Sequence, residues 1–456
     1  MSTLNSSLGI EKIREILKRR ECKIHFVGIL GAGMMPLAKL LHKSGVAVSG
    51  TDREWNDCRE ELVRCGISVT PYHTAEGLSR VSAVVYSLAI AIDAPEIQYA
   101  KAHNIPLISR AELLGALMTD YKRRIGVSGS HGKSTTTAII AHILSDEKPT
   151  VVCGAKLVSG SNFEEGAGDL FVYEACEYKD SFLLTAPTVS VLLGVELDHT
   201  DYFKSQEDIE RSFSAFADKS AMSVLNIDDP GVKRIIKNLS SKVITYGTAA
   251  DATYRFERCA KGENGFFVYR NGNLLAHIKP VAIGNYMPQN MTAAIAVCHS
   301  LGVDIETIKE RLQSFPGIKR RLELLGRIGE REVYYDYAHH PTEIVAAIST
   351  VRDLHGKCSV VFRSHTYSRT QSFWQGFVSA LSLADYVALV DVYAAREEDA
   401  GQKDARQMAR EIGEKAKYMD ACEVFPYIKN NTEGAVILMG AGNIDGIKKD
   451  FEVNIE

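Results

Sequence analysis

The sequence predicts an α/β protein of three domains, each built on a mostly parallel β-sheet. Short apolar runs typical of buried strands alternate with helical stretches along all 456 residues. Two glycine-rich turns, at residues 28–33 and 126–132, each lie between a predicted strand and a predicted helix. In the last third of the chain, four apolar runs each end in polar residues, as strands do at the ligand-binding edge of a parallel sheet. We place the domains at residues 1–121, 122–316 and 317–456.

The composition is that of a globular protein with no sign of a polyanionic partner. Hydrophobic residues make up 45% and charged residues 24% of the chain. The formal net charge of −4 gives no reason to expect nucleic acid or an anionic membrane. The nine cysteines are scattered and include no CxxC pair, which favours reduced thiols. We find no secretory leader pattern and no apolar run that could span a bilayer, so we expect a cytoplasmic protein.

The stretch GVSGSHGKSTTT, residues 126–137, predicts an ATP site. A glycine-rich turn before a helix collects backbone N–H groups, and the helix dipole adds positive charge for phosphate. Lys133 would meet the outer phosphates and the Ser134 hydroxyl would bind Mg²⁺. The match to G-x-x-x-x-G-K-[ST] is incomplete, because position 127 is valine. A glycine-rich surface turn without a ligand is the alternative.

Two predicted strands of the second domain end in groups that suit Mg²⁺. Residues 170–177 end in Glu174 and Glu177, and residues 188–201 contain Asp198 and His199. Carboxyl ends of parallel strands share one edge of a sheet, so these groups are expected near Lys133 and Ser134. Mg²⁺ commonly takes one or two carboxylates and fills its other positions with phosphate and water. An Asp-His pair that only caps a strand is the alternative.

The first domain opens with a second candidate phosphate turn. A predicted strand at residues 23–28 leads into GILGAG, residues 28–33, and Asp52 follows the next strand. Glycines allow a phosphate to approach the backbone, and an acidic residue at this place can meet a ribose hydroxyl. The GxxGxG spacing is only weak evidence for NAD and fits any nucleotide diphosphate. A tight turn without a ligand is the alternative.

Polar clusters follow the strands predicted in the third domain. DYAHHPTE begins at Asp336, and RSHTYSRT spans residues 363–370. The clustering of His339 and His340 with Asp336 and Arg369 favours a site over a core and cap role. The basic run at residues 319–321 would reach phosphates or, equally, form a solvated charged surface.

Together these segments resemble the Mur ligase family over residues 23–445. The residues that carry the resemblance are GSHGKSTTT (129–137), EACE (174–177), ELDHTDYF (196–203), DYAHHPTEI (336–344), HTYSRT (365–370), DVYAAREE (391–398) and GAGNID (440–445). The resemblance implies a Rossmann-like UDP-binding domain, a P-loop-type ATPase domain and a Rossmann-like C-terminal domain. It also implies an ADP-forming ligase that joins L-alanine to the carboxylate of UDP-N-acetylmuramate through an acyl phosphate, in peptidoglycan synthesis.

The resemblance implies roles for individual residues. Lys133, His339 and Arg369 would be catalytic, and Ser134, Glu174 and His199 would bind Mg²⁺. ATP would be bound by Gly129, Ser130, His131, Gly132, Lys133, Ser134, Thr135, Asn290, Arg321 and Asp336. The UDP-sugar would be bound by Gly28, Gly31, Ala32, Gly33, Asp52, Ser87 and His199. The amino acid would be bound by Tyr337, His339, His365 and Arg369.

The chain departs from the family pattern in and near the regions assigned to the amino acid and the acceptor. Gln-Pro-His-Arg is usual where residues 363–366 read RSHT, so Thr366 replaces an arginine that could grip a carboxylate. Tyr335 replaces an aspartate, Ala94 an asparagine, and GNY at residues 284–286 the usual Gly-His-Asn.

These departures keep several alternatives open. One is the same chemistry on another acceptor or amine, such as a peptide. Others are a non-catalytic nucleotide-binding paralogue and, on residues 28–33 alone, a nicotinamide oxidoreductase. We expect small-molecule substrates only, and a monomer or a homodimer.

Overall fold

The chain folds into three β-sheets carried by two compact units. The computed structural model describes residues 8–53, 58–157, 159–199, 202–260, 265–394, 397, 404–441 and 444–454. Unit 1 comprises Met1–Lys279 and Gln289–Gln313, and unit 2 comprises Pro280–Pro288 and Ser314–Glu456. The predicted boundary between the first two domains lies inside unit 1, so that boundary stays a prediction. Among the described helices, none is long and apolar enough to cross a bilayer.

The first sheet is entirely parallel, in the order β3-β2-β1-β4-β5. The order reverses between β1 and β4, and such a switch point opens a crevice at the carboxyl edge of a sheet. Its strands are β1 (Lys23–Val27), β2 (Ala47–Thr51), β3 (Ser68–Thr70), β4 (Ala83–Tyr86) and β5 (Leu107–Ser109). Its helices are α1 (Ile10–Leu17), α2 (Met35–Lys43), α3 (Cys58–Arg64), α4 (Pro95–Ala102) and α5 (Arg110–Met118).

Unit 1 also contains a ten-stranded sheet, in the order β15-β14-β13-β12-β11-β10-β6-β9-β7-β8. The strands are β6 (Arg123–Ser128), β7 (Thr150–Val152), β8 (Phe163–Glu164), β9 (Leu170–Glu174), β10 (Val189–Leu192), β11 (Met222–Asn226), β12 (Lys242–Gly247), β13 (Tyr254–Arg258), β14 (Phe266–Arg270) and β15 (Asn273–Ile278). The helices are α6 (Lys133–Ile143), α7 (Gln206–Ala217), α8 (Pro230–Ile236), α9 (Met287–Ser300) and α10 (Ile305–Ser314).

Strand β6 pairs in parallel with β10 and β9, which brings the carboxyl ends of the three strands to one edge. Their apolar residues are buried on both faces, as in a sheet covered by helices. At the far side, β14 and β15 form an antiparallel hairpin. Its turn is Asn271-Gly272, with φ of 50° and 82°, which matches the twist of the two strands.

The sheet of unit 2 runs β16-β17-β21-β18-β19-β20, and only the β16–β17 pair is antiparallel. The four runs predicted as strands are present, and β16 and β20 add to them. The strands are β16 (Glu323–Ile328), β17 (Arg331–Asp336), β18 (Cys358–Phe362), β19 (Tyr386–Leu389), β20 (Ala416–Tyr418) and β21 (Ala435–Met439). The helices are α11 (Pro341–His355), α12 (Tyr367–Ser372), α13 (Trp374–Leu381), α14 (Ala405–Ile412), α15 (Ala421–Asn431) and α16 (Asp445–Glu452).

Candidate active site

The loop between β6 and α6 has a backbone that only glycine tolerates at two positions. Gly129 has φ of 141°, and a Cβ there would lie 2.9 Å from Leu193 Cβ. Gly132 has φ of 82°, and a Cβ there would lie 2.8 Å from Asn290 Oδ1. The glycines therefore let the loop turn into the helix N-terminus while it packs closely against neighbouring residues.

The residues between these glycines are held from the β10 side. The Ser130 amide donates to Gly194 O at 3.0 Å, and the Ser130 hydroxyl accepts from Glu196 N at 2.8 Å. His131 Nε2 lies 3.5 Å from Glu196 Oε2. Thr135 is buried in the first turn of α6. The loop is thus held in one conformation at the carboxyl edge of the sheet.

Lys133 spans the loop and pairs with a buried carboxylate. Its Nζ donates to Gly129 O at 2.6 Å and to Glu177 Oε1 at 3.0 Å. Burial alone would lower the pKa of Lys133, but the carboxylates of Glu177 and Glu174 outweigh it and raise that pKa above its ordinary value. Lys133 therefore carries a positive charge at the loop across the physiological range.

Glu177 joins Lys133 to His199. Burial alone would raise the pKa of Glu177, but Lys133 and His199 reverse the effect and lower it below its usual value. His199 Nε2 lies 3.6 Å from Glu177 Oε1, and the His199 ring is 4.8 Å from the Tyr178 ring. Glu177 Oε2 is buried without a hydrogen-bond partner among the described residues. The sequence predicted Glu177 near Lys133, as one of the groups that suit Mg²⁺, and the structure pairs it with Lys133 itself.

Ser134 and Glu174 meet directly beside the loop. The Ser134 hydroxyl donates to Glu174 Oε2 at 2.6 Å, and the Gly154 amide donates to the same oxygen at 2.8 Å. Within the described residues, no three His, Cys, Asp or Glu side chains are grouped so that they could hold a metal alone. This donor set fits a hard cation that takes its remaining ligands from phosphate and water, as Mg²⁺ does.

Asn290 supplies an unused donor near the same loop. It lies on α9, is 4% exposed, and its Nδ2 has no hydrogen-bond partner within the described residues. A buried amide donor left without a partner is costly unless something binds it. The site therefore has an amide donor that suits a ring nitrogen or carbonyl oxygen.

The turn at residues 28–33 is held mainly by β2. The amides of Gly28 and Ile29 donate to Thr51 O at 2.8 and 3.1 Å. Asp52 Oδ2 accepts from Leu30 N at 2.8 Å, so the Asp52 carboxylate supports the turn itself. Asn162 Nδ2 donates to Ala32 O at 2.6 Å.

Side chains also pack closely against the glycines of this turn. A Cβ on Gly28, where φ is 78°, would lie 3.0 Å from Ile90 Cδ1. A Cβ on Gly33 would lie 3.0 Å from Arg110 Cδ. Ser87 lies in the loop after β4, where its hydroxyl accepts from Ala89 N at 3.3 Å. This turn too lies at the carboxyl edge of its sheet.

In unit 2, Asp336 ends β17 as a buried carboxylate. It is 3% exposed, and it accepts from Leu322 N at 2.8 Å and from Ala338 N at 2.7 Å. Burial raises its pKa to about 6. The Arg321 guanidinium lies 5.4 Å from the centre of the Tyr337 ring and 3.6 Å from Glu343 Oε1. Asp336 thus holds the turn that presents these residues.

The residues predicted for the amino acid form one cluster in unit 2. The His339 ring lies 5.1 Å from the Tyr337 ring and 6.4 Å from the His365 ring. Burial lowers the pKa of His339 to about 4, the charges of Arg369 and Arg321 add to this, and Glu343 opposes them. Burial and Arg369 also lower the pKa of His365. Two neutral imidazoles therefore stand beside the charge of Arg369.

Two further residues complete this cluster, and neither was assigned a role from the sequence. Glu343 Oε2 lies 3.3 Å from His339 Nδ1, and the Tyr393 ring stacks on His365 at 5.8 Å. The HHPTE run places Glu343 four residues after His339, in the first turn of α11, and this spacing is the sequence signal for their contact.

Thr366 serves as the N-cap of α12. Its φ is 62°, a left-handed value that is unfavourable for a β-branched residue, and its hydroxyl accepts from Arg369 N at 3.4 Å. The residue that replaces an arginine therefore caps the helix that carries Arg369. Parts of the quoted motifs lie outside the described residues, namely Thr200, Asp201, Ala395, Arg396, Glu398, Gly442 and Asn443.

Three family models match the chain in succession. "Mur ligase family, catalytic domain" matches residues 23–122, "Mur ligase middle domain" matches 127–298, and "Mur ligase, glutamate ligase domain" matches 320–444. These matches cover both glycine-rich turns, so the nicotinamide oxidoreductase alternative, which rested on residues 28–33 alone, is left without support.

Curated relatives match nearly the whole chain. UDP-N-acetylmuramate–L-alanine ligase of Aquifex aeolicus is 39% identical over 455 residues, covering 97% of this chain and 100% of the relative. The ligase of the same name from Caldanaerobacter subterraneus is 38% identical, covering 94% and 97%. The crystal structure of UDP-N-acetylmuramate-alanine ligase from Thermotoga maritima is 27% identical, with a TM-score of 0.82 and coverage of 94% and 98%. The chain therefore belongs to the Mur ligase family.

Proposed function

We propose that the protein is an ADP-forming, ATP-dependent ligase that joins L-alanine to the carboxylate of UDP-N-acetylmuramate in peptidoglycan synthesis. The observation that carries the proposal is the phosphate loop, where Lys133 spans Gly129 and Glu177 beside the Ser134–Glu174 pair. The relatives bearing this name match along nearly their full length. The protein acts in the cytoplasm on small molecules, as a monomer or a homodimer.

The first step would activate the muramate carboxylate. A carboxylate oxygen attacks the γ-phosphorus of ATP, the bond to the β-phosphate oxygen breaks, and ADP leaves an acyl phosphate behind. Lys133 offsets the charge of the outer phosphates while they approach the anionic acceptor. Ser134, Glu174 and His199 would hold Mg²⁺, which supplies further charge neutralisation when bound.

The second step would form the amide. The uncharged L-alanine amine attacks the acyl carbon, the carbon–oxygen bond to phosphate breaks, and inorganic phosphate leaves with the proton that the nitrogen gives up. Arg369 pairs with the alanine carboxylate, and Tyr337, His339 and His365 surround the amine. With a pKa of about 4, the His339 imidazole is neutral at pH 7 and only weakly basic. His339 therefore accepts a hydrogen bond from the amine and orients it, and does not act as the general base.

The other candidate residues bind UDP-N-acetylmuramate and ATP. UDP-N-acetylmuramate lies with its pyrophosphate on the turn at residues 28–33. Its other contacts include Asp52, Ser87 and His199. Asn290 uses its free amide donor on adenine. Arg321 and Asp336 serve the ATP phosphates and ribose.

Phosphate release tests the function directly. The wild type receives Mg²⁺-ATP with and without UDP-N-acetylmuramate and with each amino acid in turn. We expect release to need both UDP-N-acetylmuramate and L-alanine, and kcat to fall at least about a hundredfold in Lys133→Ala. Lys43→Ala is the control, because Lys43 ends α2, outside residues 126–137, and its side chain is 55% exposed, so its ion pair with Glu165 should contribute little.

Two results would contradict the proposal. Turnover with glycine, serine or a peptide but not with L-alanine would change the amine substrate and implicate Thr366. Nucleotide binding without turnover for any combination of substrates would make the protein a non-catalytic paralogue.

A further inference from the structure

The carboxylate of Glu96 is buried in the first sheet without a role in the proposed chemistry. Glu96 is 0% exposed and lies in the first turn of α4. Its Oε1 accepts from the Thr51 hydroxyl, from His73 Nδ1 at 2.9 Å and from Thr74 N at 3.2 Å. Its Oε2 has no partner among the described residues. A buried carboxylate is costly unless it is paired, so this arrangement needs a reason.

Glu96 connects three segments that leave the same edge of the sheet. Thr51 ends β2, His73 and Thr74 follow β3, and Glu96 begins the helix that follows β4. These strands flank β1 in the order β3-β2-β1-β4. One carboxylate therefore ties the loops on both sides of the turn that follows β1.

Thr51 links Glu96 to the turn at residues 28–33. Its side chain bonds to Glu96, while its carbonyl oxygen accepts the amides of Gly28 and Ile29. Thr51 is 0% exposed, so its backbone and hydroxyl are both used inside the fold. A shift of the hydroxyl would move the carbonyl that orients the first two amides of the turn.

His73 contacts this carboxylate directly. Its Nδ1 lies 2.9 Å from Glu96 Oε1. A hydrogen bond to the buried carboxylate lowers the cost of burying it and ties the segment after β3 to α4.

We propose that Glu96 is a positioning residue of the nucleotide-sugar site. Through Thr51, whose carbonyl oxygen accepts the amides of Gly28 and Ile29, it fixes the start of the turn that receives the pyrophosphate, and through the His73 segment it holds the neighbouring side of the site. This inference rests on the proposed placement of UDP-N-acetylmuramate on residues 28–33.

The test compares two buried glutamates that each lie in the first turn of a helix, Glu96 in α4 and Glu112 in α5. Glu96→Gln keeps the shape of the side chain and removes its charge. We expect KM for UDP-N-acetylmuramate to rise roughly tenfold, the typical effect of a lost hydrogen bond to a charged group. We expect the Kd for UDP, measured by calorimetry, to rise equally, with kcat and KM for ATP and L-alanine within about twofold of wild type.

Glu112→Gln is the matched control. Glu112 is 7% exposed and forms the capping box of α5 with Ser109, so its loss should lower Tm without changing KM for UDP-N-acetylmuramate. Thr51→Val removes the hydroxyl and keeps the carbonyl, and it should raise the same KM. Because Thr51 transmits the effect of Glu96, the two substitutions should not be additive. KM for UDP-N-acetylmuramate should rise less when Thr51→Val is added to Glu96→Gln than when it is made in the wild type.

Gly33→Ala separates failure of this inference from failure of the ligand placement, since its Cβ would press on Arg110 within the turn. If Gly33→Ala weakens UDP binding and Glu96→Gln does not, Glu96 has no positioning role. If Glu96→Gln only lowers Tm, as Glu112→Gln does, its role is structural. If Gly33→Ala leaves UDP binding unchanged, the placement of the nucleotide and the role of Glu96 are both wrong.

Discussion

Burial shifts the pKa values of two neighbouring residues of unit 2 in opposite directions. Asp336 has its pKa raised to about 6, whereas His339 has its pKa lowered to about 4. In each case burial disfavours the charged form. The two groups stand three residues apart, so the turn after β17 carries less charge at mildly acidic pH than its sequence suggests.

His339 should make stability depend on pH. His339 is protonated below about pH 6.5 in the unfolded chain, but only below about pH 4 in the folded chain. The stability that neutral His339 preserves is therefore fully present above pH 6.5, and the free energy of unfolding decreases as the pH falls toward 4. Between pH 7.5 and 5, we expect wild type to lose about 2 kcal/mol of unfolding free energy relative to His339→Asn. Urea unfolding followed by Trp374 fluorescence in a Trp55→Phe background measures this, and a difference independent of pH would contradict it.

Thr366 offers a second prediction at this scale. Thr366→Arg adds a guanidinium beside His365 and Arg369, so we expect KM for L-alanine to fall roughly tenfold by paired recognition of its carboxylate. The same change removes the cap of α12 and should cost about 1 kcal/mol of stability. Steady-state kinetics and Tm measure the two effects. Thr366→Ser keeps the capping hydroxyl and should leave KM unchanged; an equal change in both variants would exclude the guanidinium as the cause.

At the scale of elements, the loop between β6 and α6 depends both on its own backbone angles and on its packing against α9, a helix far away in the sequence. Gly132 has a left-handed backbone, and a Cβ on it would lie 2.8 Å from Oδ1 of Asn290 in α9, more than 150 residues further along the chain. The left-handed backbone is a local property, whereas the contact with Asn290 exists only in the folded unit. A substitution there combines backbone strain with displacement of a candidate adenine ligand.

Gly132→Ala and Gly160→Ala separate these two effects. Both glycines have φ near 80°, so alanine should cost about 1 kcal/mol of stability in each. A Cβ on Gly160 meets no atom within 4 Å, whereas one on Gly132 would lie 2.8 Å from Asn290 Oδ1. We expect KM for ATP to rise about tenfold or more only in Gly132→Ala. Equal KM values in the two variants would mean that Asn290 is not needed for ATP.

At the scale of the whole molecule, the first two family-model ranges are packed into unit 1. One hydrophobic core runs from Ile13 to Ile235 and includes residues of both ranges. Helix α5 meets the 3₁₀ segment Tyr178–Leu184, where a Cβ on Gly115 would lie 2.2 Å from Leu184 O. The absence of a side chain at Gly115 allows this approach.

Gly115→Ala should therefore destabilise unit 1 although alanine favours helices. We expect a loss of at least about 2 kcal/mol, because the contacted atom is backbone and cannot move aside alone. Gly446→Ala in α16 is the control, because a Cβ at this position meets no atom within 4 Å. This substitution should raise the free energy of unfolding by about 0.5–1 kcal/mol. Urea denaturation of both variants measures this, and a stabilised Gly115→Ala would contradict the close approach.

Several features of the fold could be read from the sequence because their causes are local. Apolar runs predicted most strands of the three sheets to within a few residues, whereas β7, β8, β16 and β20 were not predicted. The Asn271-Gly272 turn and the glycine loop before Lys133 depend on backbone angles that few other residues adopt. The family followed from the motifs and is confirmed, while the roles of individual site residues stay predictions.

Only the tertiary structure decided which side chains meet. Lys133 pairs with Glu177 across 44 residues, Asp52 supports the turn at Leu30, and Glu96 is joined to Thr51 across 45 residues. Such pairs depend on strand order and on which charges burial removes from water, and neither is encoded in a short stretch of sequence. Local backbone preference thus determined the elements and the glycine-rich loops of this protein, whereas sheet order and burial determined the partners of its charged groups.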